Sequence, residues 1–184
     1  MTQALLFLGE VETRRSEAAA HATHYEPVPV DDFRALLGKM PPEAIARSTF
    51  VDVGAGMGRA MLLAAEYPFK QIVGIEFSAA LVALARDNLA SQHGLAVRCR
   101  DLRLIRADAR KRRFPPGDLM VFLYNPFDAE AMEMVLDRIA ERSRRGDERL
   151  LYHTPVHGAT IEARGYERVA ELPCGTLYER RRTI

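Results

Sequence analysis

Thr49 to Ser78 reads TFVDVGAGMGRAMLLAAEYPFKQIVGIEFS, and the fold is decided here. Thr49-Phe50-Val51-Asp52-Val53 is a short apolar run with β-branched residues, bounded by glycine. Such a run predicts a strand buried on both faces, as in a parallel sheet. Gly54, Ala55, Gly56, Met57 and Gly58 follow as a turn with little side-chain bulk. Glycine there permits positive φ and a close approach of backbone to a ligand. Met61, Leu62, Ala64 and Ala65 give one apolar helical face, broken near Tyr67-Pro68. Gln71-Ile72-Val73-Gly74-Ile75 is a second strand with Glu76 at its carboxyl end. Ligands of open α/β sheets sit at that end, where a carboxylate can accept from both hydroxyls of a ribose.

Two readings compete for the turn. A dinucleotide site wants glycine at the first, third and sixth positions. Counting from Gly54, the sixth position is Arg59, and the third glycine falls one earlier, at Gly58. An acidic residue, Asp52, also precedes the turn. The pattern Asp52-x-Gly54-x-Gly56-x-Gly58, followed by Glu76, resembles motif I and the acidic loop of class I S-adenosylmethionine (SAM) methyltransferases. The resemblance implies a doubly wound α/β fold, with a mostly parallel seven-stranded sheet ending in an antiparallel hairpin. SAM is the cofactor it implies. Asp52, Gly54, Gly56 and Gly58 would shape the pocket for its methionine part and Glu76 would hold the ribose. Alternatively, Asp52 only orients the glycine turn.

A chain of 184 residues is expected to form one domain with a substantial core. We divide it into an N-terminal helical or lid segment over 1–48 and a cofactor-binding core over 49–184. Twenty-six basic and 25 acidic residues give a net charge of +1, which argues against a strongly charged partner. Cys99 and Cys174 lack CxxC spacing and are expected as buried thiols in a reducing cytoplasm. The apolar start, Ala4 to Leu8, stops at Gly9-Glu10, too short for a membrane or secretory segment.

Along the chain, Glu17 to Ala20 are the best helix formers before residue 23. His24-Tyr25-Glu26-Pro27-Val28-Pro29 is held extended by its prolines. It reads either as a connector over the sheet or as a lid whose Glu26 faces the cofactor. Asp31-Asp32 is expected to cap a helix through Phe33, Leu36 and Leu37, ending at Gly38 before Pro41-Pro42. After Glu76, Phe77 stands where an apolar ring packs on an adenine or belongs to the core. Ser78 is a candidate cap for a helix with Leu81, Leu84, Ala85 and Leu89 inward, ending at His93-Gly94. Leu102 to Ala107 is a third strand, followed by Asp108-Ala109. By resemblance, Asp108 is the adenine contact, with Ala109 beside it. Eight basic residues lie between Arg98 and Arg113, against Asp101 and Asp108. With no aromatic residues interleaved, a solvated surface is favoured over a nucleic-acid patch. A fourth strand covers Asp118 to Tyr124, and Asp128 caps a helix with Met132, Val135, Leu136 and Ile139 inward. A fifth covers Arg149 to His153, and Tyr166 to Leu172 with Leu177 to Arg181 form the terminal hairpin.

Methyl transfer from a sulfonium needs alignment and exclusion of water rather than a covalent nucleophile. His153-x-x-x-His157 has ligand-like spacing, but Pro155 intervenes and the HExxH glutamate is missing, so no metal is expected. Asn125-Pro126-Phe127, after the fourth strand, is the catalytic candidate. It is similar to a shortened (Asn/Asp)-Pro-Pro-(Tyr/Phe) signature of amino-group methyltransferases. There the Asn oxygen and a proline carbonyl accept from the target N–H, and the aromatic ring stacks on the substrate or attracts its growing charge. The order Tyr25-Glu26-Pro27, Phe50 to Gly56, Asn125-Pro126-Phe127 also resembles the layout of non-SET histone lysine methyltransferases. That layout implies that Glu26 binds the methionine end of SAM and Asn125 lines an amine channel. The expected acceptor is a protein lysine or a small amine rather than nucleic acid. Two rivals stand: a non-catalytic SAM-binding module, and a nicotinamide-dependent oxidoreductase, disfavoured by Arg59.

Overall fold

The computed structural model describes residues 26–91, 96–124, 127–142 and 146–181. The expected helical turns before residue 23, the His93-Gly94 helix end, and Asn125-Pro126 lie outside them. In chain order the elements are α1 (Val30–Leu37), α2 (Pro42–Arg47), β1 (Thr49–Val53), α3 (Arg59–Ala65), β2 (Gln71–Glu76), α4 (Ala79–Ala90) and β3 (Leu102–Arg106). A 3-10 turn over Ala109–Lys111 follows, then β4 (Leu119–Tyr124), α5 (Ala129–Ala140), β5 (Glu148–His153), α6 (Gly158–Ala163), β6 (Glu167–Leu172) and β7 (Gly175–Arg180). The strands form one seven-stranded sheet in the order β3-β2-β1-β4-β5-β7-β6. β1 through β5 pair parallel, and β7 runs antiparallel between β5 and β6. This is the doubly wound, mostly parallel sheet with a terminal antiparallel hairpin that the resemblance implies.

Alternation along the central strands divides the core between the two faces of the sheet. Phe50, Met120 and Phe122 meet α1 and α3 on one face, with Phe33, Leu36, Leu37 and Met61. Val51, Val53 and Val121 meet α5 and α6 on the other, with Met132, Val135, Leu136, Ile139 and Ile161. Gly74 lets α3 lie close on β2, because a Cβ there would run into Met61 Sδ. Both faces are thus covered, and ligands are left the strand ends.

Three local readings change. Asp31 and Asp32 do not cap α1: Pro29 is the N-cap and makes no side-chain cap bond. Both carboxylates lie in the first turn, where the helix dipole favours them, and that of Asp32 is turned to a distant histidine. Pro41-Pro42 does not only interrupt: Pro42 is the first residue of α2, a position that needs no N–H donor. The six-residue α6 adds a helix that the sequence reading lacked. Ser78 and Asp128 do cap their helices, accepting from Leu81 N–H at 3.4 Å and Ala131 N–H at 2.9 Å.

Phe33 makes edge contacts with Phe50 and Phe122, at centroid distances of 5.9 and 5.3 Å. Phe33→Ala is therefore expected to cost about 3–5 kcal/mol in denaturant unfolding. A cost under about 1 kcal/mol would show that α1 is not part of the core.

Candidate active site

The turn between β1 and α3 is built from backbone. Gly54, Gly56 and Gly58 take φ of 77°, 53° and 81°, conformations that a side chain strains. Gly54 and Ala55 N–H both donate to Ile75 O, at 2.9 and 3.1 Å, and Gly58 N–H donates to Ala55 O at 2.8 Å. Glu76 closes the arrangement. Its Oε2 accepts from Gly56 N–H at 2.9 Å and its Oε1 from Ser78 N–H at 2.8 Å. Burial raises the Glu76 carboxyl above its ordinary value, against the lowering effect of backbone N–H groups of Ser78, Gly56 and Phe77.

Asp52 lies beneath this turn, 3% exposed, and its Oδ2 has no hydrogen-bond partner. Burial first, and the neighbouring Glu76 charge second, push its carboxyl from 3.8 up to about 7. A buried, partnerless carboxylate oxygen beside a second carboxylate awaits a cation or a hydrogen-bond donor.

A cavity opens at the carboxyl ends of β1 to β3. Gly54, Ile75, Phe77, Asp108, Ala109 and Phe127 line it. Four of the cofactor candidates thus share one hollow, and Phe127, singled out as catalytic, borders the same space. Asp108 is not free there. Its carboxylate caps Arg110 N–H at 3.0 Å and takes the Arg110 guanidinium at 2.8 to 3.2 Å. Burial would raise Asp108, but these bonds outweigh it and hold the carboxyl below its ordinary value. Arg110 is therefore buried, not part of a solvated basic surface, because an acid two residues earlier folds its guanidinium back.

A second group gathers at the ends of β4 and β5. Tyr124 and His153 are register partners, with ring centroids 4.3 Å apart, edge to face. Burial first, then a hydrogen bond with Glu26 and its charge, raise the Tyr124 phenol. Glu26 is thus set against the end of β4. The structure does not describe Asn125 and Pro126. His157 Nε2–H donates to Phe127 O at 3.1 Å, and His153 Nε2 meets Asp32 Oδ2 at 2.9 Å. The two histidines thus turn to different partners and do not form a ligand pair. Among the described residues no His/Cys/Asp/Glu cluster suits a metal, and no helix is long and apolar enough to cross a membrane. Sequence reasoning missed the Asp32–His153 pair. No local signal in either segment pointed to it, because the partners lie 121 residues apart.

Residues 50–146 match the family model described as "Methyltransferase domain". That span exceeds half of the chain, so the chain belongs to this family and carries a methyltransferase domain, whose implied cofactor is SAM. Among solved structures, the PH0226 protein from Pyrococcus horikoshii OT3 is similar over 95% of both chains, with a TM-score of 0.62 at 15% identity. The mitomycin 7-O-methyltransferase MmcR is similar over 84% of this chain and 54% of its own, at 0.58 and 18%. A StiE O-MT segment is similar over 76% and 52%, at 0.55 and 14%. The chain thus spans about half the length of the last two. At such identities the likeness is one of fold. Comparison with curated proteins finds no match.

The residues present fit SAM, which carries a sulfonium, an ammonium and ribose hydroxyls. Asp52 offers an unpartnered buried oxygen, and the Glu76 carboxylate, held by backbone N–H groups, keeps lone-pair capacity for a hydroxyl.

The raised Asp52 value makes a pH prediction. Its folded value lies above the unfolded one, so ionising it in place opposes folding. The penalty is absent below about pH 4 and complete above about pH 7. Asp52→Asn should therefore stabilise the ligand-free protein increasingly from about pH 4 to pH 8, reaching about 2–4 kcal/mol in urea unfolding. A pH-independent effect would contradict this account of the buried acid.

Proposed function

We propose that this methyltransferase acts on nitrogen, on an amine or amide of a protein or a small molecule. The observation that carries the reading is the hydrogen bond between Glu26 and Tyr124. It sets Glu26 against Tyr124, the last residue of β4, and in this reading that carboxylate and aromatic ring stand where an amine would arrive. Residues 1–48 would act as the lid segment and 49–184 as the core.

SAM supplies an electrophilic methyl on a cationic sulfonium. In this reading Asp52, Gly54, Gly56 and Gly58 form the seat of its methionine part, with Glu26 closing over the same end. Glu76 accepts from the ribose hydroxyls. Phe77 and Ala109 flank the adenine, and Asp108 accepts from its amine with the oxygen capacity that Arg110 leaves. Asn125 and the Pro126 carbonyl hold the acceptor N–H, and Phe127 faces the growing charge. The cytoplasm is the proposed compartment, in keeping with two cysteines that lack disulfide spacing.

Two similar structures carry O-methylation in their names, so oxygen is the outcome to be excluded. The 184-residue chain is incubated with methyl-labelled SAM and a cell extract, and the label is identified after hydrolysis. The expected product is an N-methyl amine, with incorporation lowered about tenfold or more by Asn125→Ala at unchanged SAM affinity. Label found on oxygen alone would overturn the nitrogen assignment.

A further inference from the structure

His153 is 4% exposed at the carboxyl end of β5 and has a partner on each ring nitrogen. Nε2 meets Asp32 Oδ2 at 2.9 Å, across 121 residues of sequence, and Nδ1 meets Thr154 Oγ1 at 3.0 Å. A carboxylate only accepts, so Nε2 carries a proton, and in the neutral ring Nδ1 is then the basic nitrogen that takes the Thr154 hydroxyl. Thr154 is exposed and has φ of 50°, a positive value no other described non-glycine residue takes. A β-branched residue is strained there, and such strain persists where the surroundings enforce it. The buried imidazole is thus oriented by an acid from α1, with its basic side turned toward an exposed hydroxyl.

The groups facing His153 share one character. Asp32 comes from α1, and Tyr124 from β4, its hydroxyl bonded to Glu26. Cys174, at the β6–β7 turn, directs its thiol to Asp32 O at 3.8 Å, and β7 contributes the backbone of Gly175. Two carboxylates and an aromatic edge, with no cation among these groups, suit a positively charged acceptor. An aliphatic amine is such an acceptor. With a pKa of about 10 it is protonated at neutral pH and has no lone pair to attack with.

We propose that the acceptor is an aliphatic amine whose proton passes to His153 Nδ1, with Asp32 as the positioning residue and the Thr154 hydroxyl occupying that nitrogen until the amine arrives. This deepens the nitrogen reading and rests on it. The ammonium gives one proton to Nδ1 and becomes a neutral amine. Its lone pair forms the new N–C bond while the methyl C–S bond breaks, the electron pair going to sulfur. The product leaves as a secondary ammonium, and the imidazolium returns its proton to solvent. Atoms and charge balance with no further reactant.

The test uses the full chain, methyl-labelled SAM, and butylamine or phenol as acceptor probe, with SAM affinity measured calorimetrically for each variant. The wild type is expected to methylate butylamine and not phenol, with a rate that falls at acid pH. His153→Gln should lower kcat at neutral pH by about a hundredfold or more and move the acid limb toward the amine's own pKa of about 10, with SAM affinity within about twofold of wild type. Asp32→Asn should lower kcat about tenfold and displace the limb, a change that a purely structural role would not produce. It also keeps the test decisive if the buried imidazole proves necessary for folding. Wild-type kcat in His153→Gln, transfer to phenol only, or no transfer to butylamine by SAM-bound protein would each overturn the inference. Nitrogen label from the extract alongside any of these would leave the broader reading standing, whereas label on oxygen alone would remove both.

Discussion

Two hydrogen bonds to one buried carboxylate hold the ligand end of this protein together. Glu76 stands at the last position of β2 and accepts from Gly56 on one side and Ser78 on the other. The first bond fixes the glycine turn after β1, and the second fixes the entrance to α4. Three elements are thereby referenced to a single side chain, and the cavity beside Phe77 and Asp108 follows from their spacing. Burial leaves this carboxylate costly to ionise without donors. A ligand bringing hydroxyl groups to it adds donors where they are most valuable.

The opposite end of the sheet shows how a finished polar cluster looks. Glu148, fully buried at the start of β5, accepts from Tyr166 Oη at 2.9 Å and Arg180 Nε at 2.7 Å, and pairs with Arg142 at 3.0 Å. Its partners all come from the chain itself, tying β5 to β7 and to the end of α5. At the carboxyl end, by contrast, Asp52 keeps an unpartnered buried oxygen beside a second carboxylate. One end is closed by its own side chains. At the other end, Asp52 Oδ2 meets no donor among the described residues.

Much of this was legible in the sequence, and the parts that were not share a physical cause. The β1–turn–α3–β2 unit announces itself because its signals are local: β-branched runs, glycines at fixed offsets, and an acid at a strand end. Phe77, Asp108 and Ala109 could be placed because strand ends in a parallel sheet converge on one edge. The Asp108–Arg110 pairing was also local, yet a cluster of basic residues suggested a solvated surface and hid it. The Asp32–His153 pair could not be read, since nothing within either segment points to a partner 121 residues away. Parallel strands bring distant segments together, and only assembling the sheet reveals which side chains then meet. The start of α2 at Pro42 was readable in principle, because proline at a first helical position both initiates and interrupts.

The account depends on the glycine turn and Glu76 forming the seat for SAM. The most direct measurement is a calorimetric titration of the full chain with SAM and, separately, with NAD, repeated for Glu76→Ala. We expect one site with micromolar affinity for SAM, none for NAD, and loss of SAM binding by at least about tenfold in the variant. Folded protein that ignores SAM, or binds it equally well without the Glu76 carboxylate, would contradict the central claim.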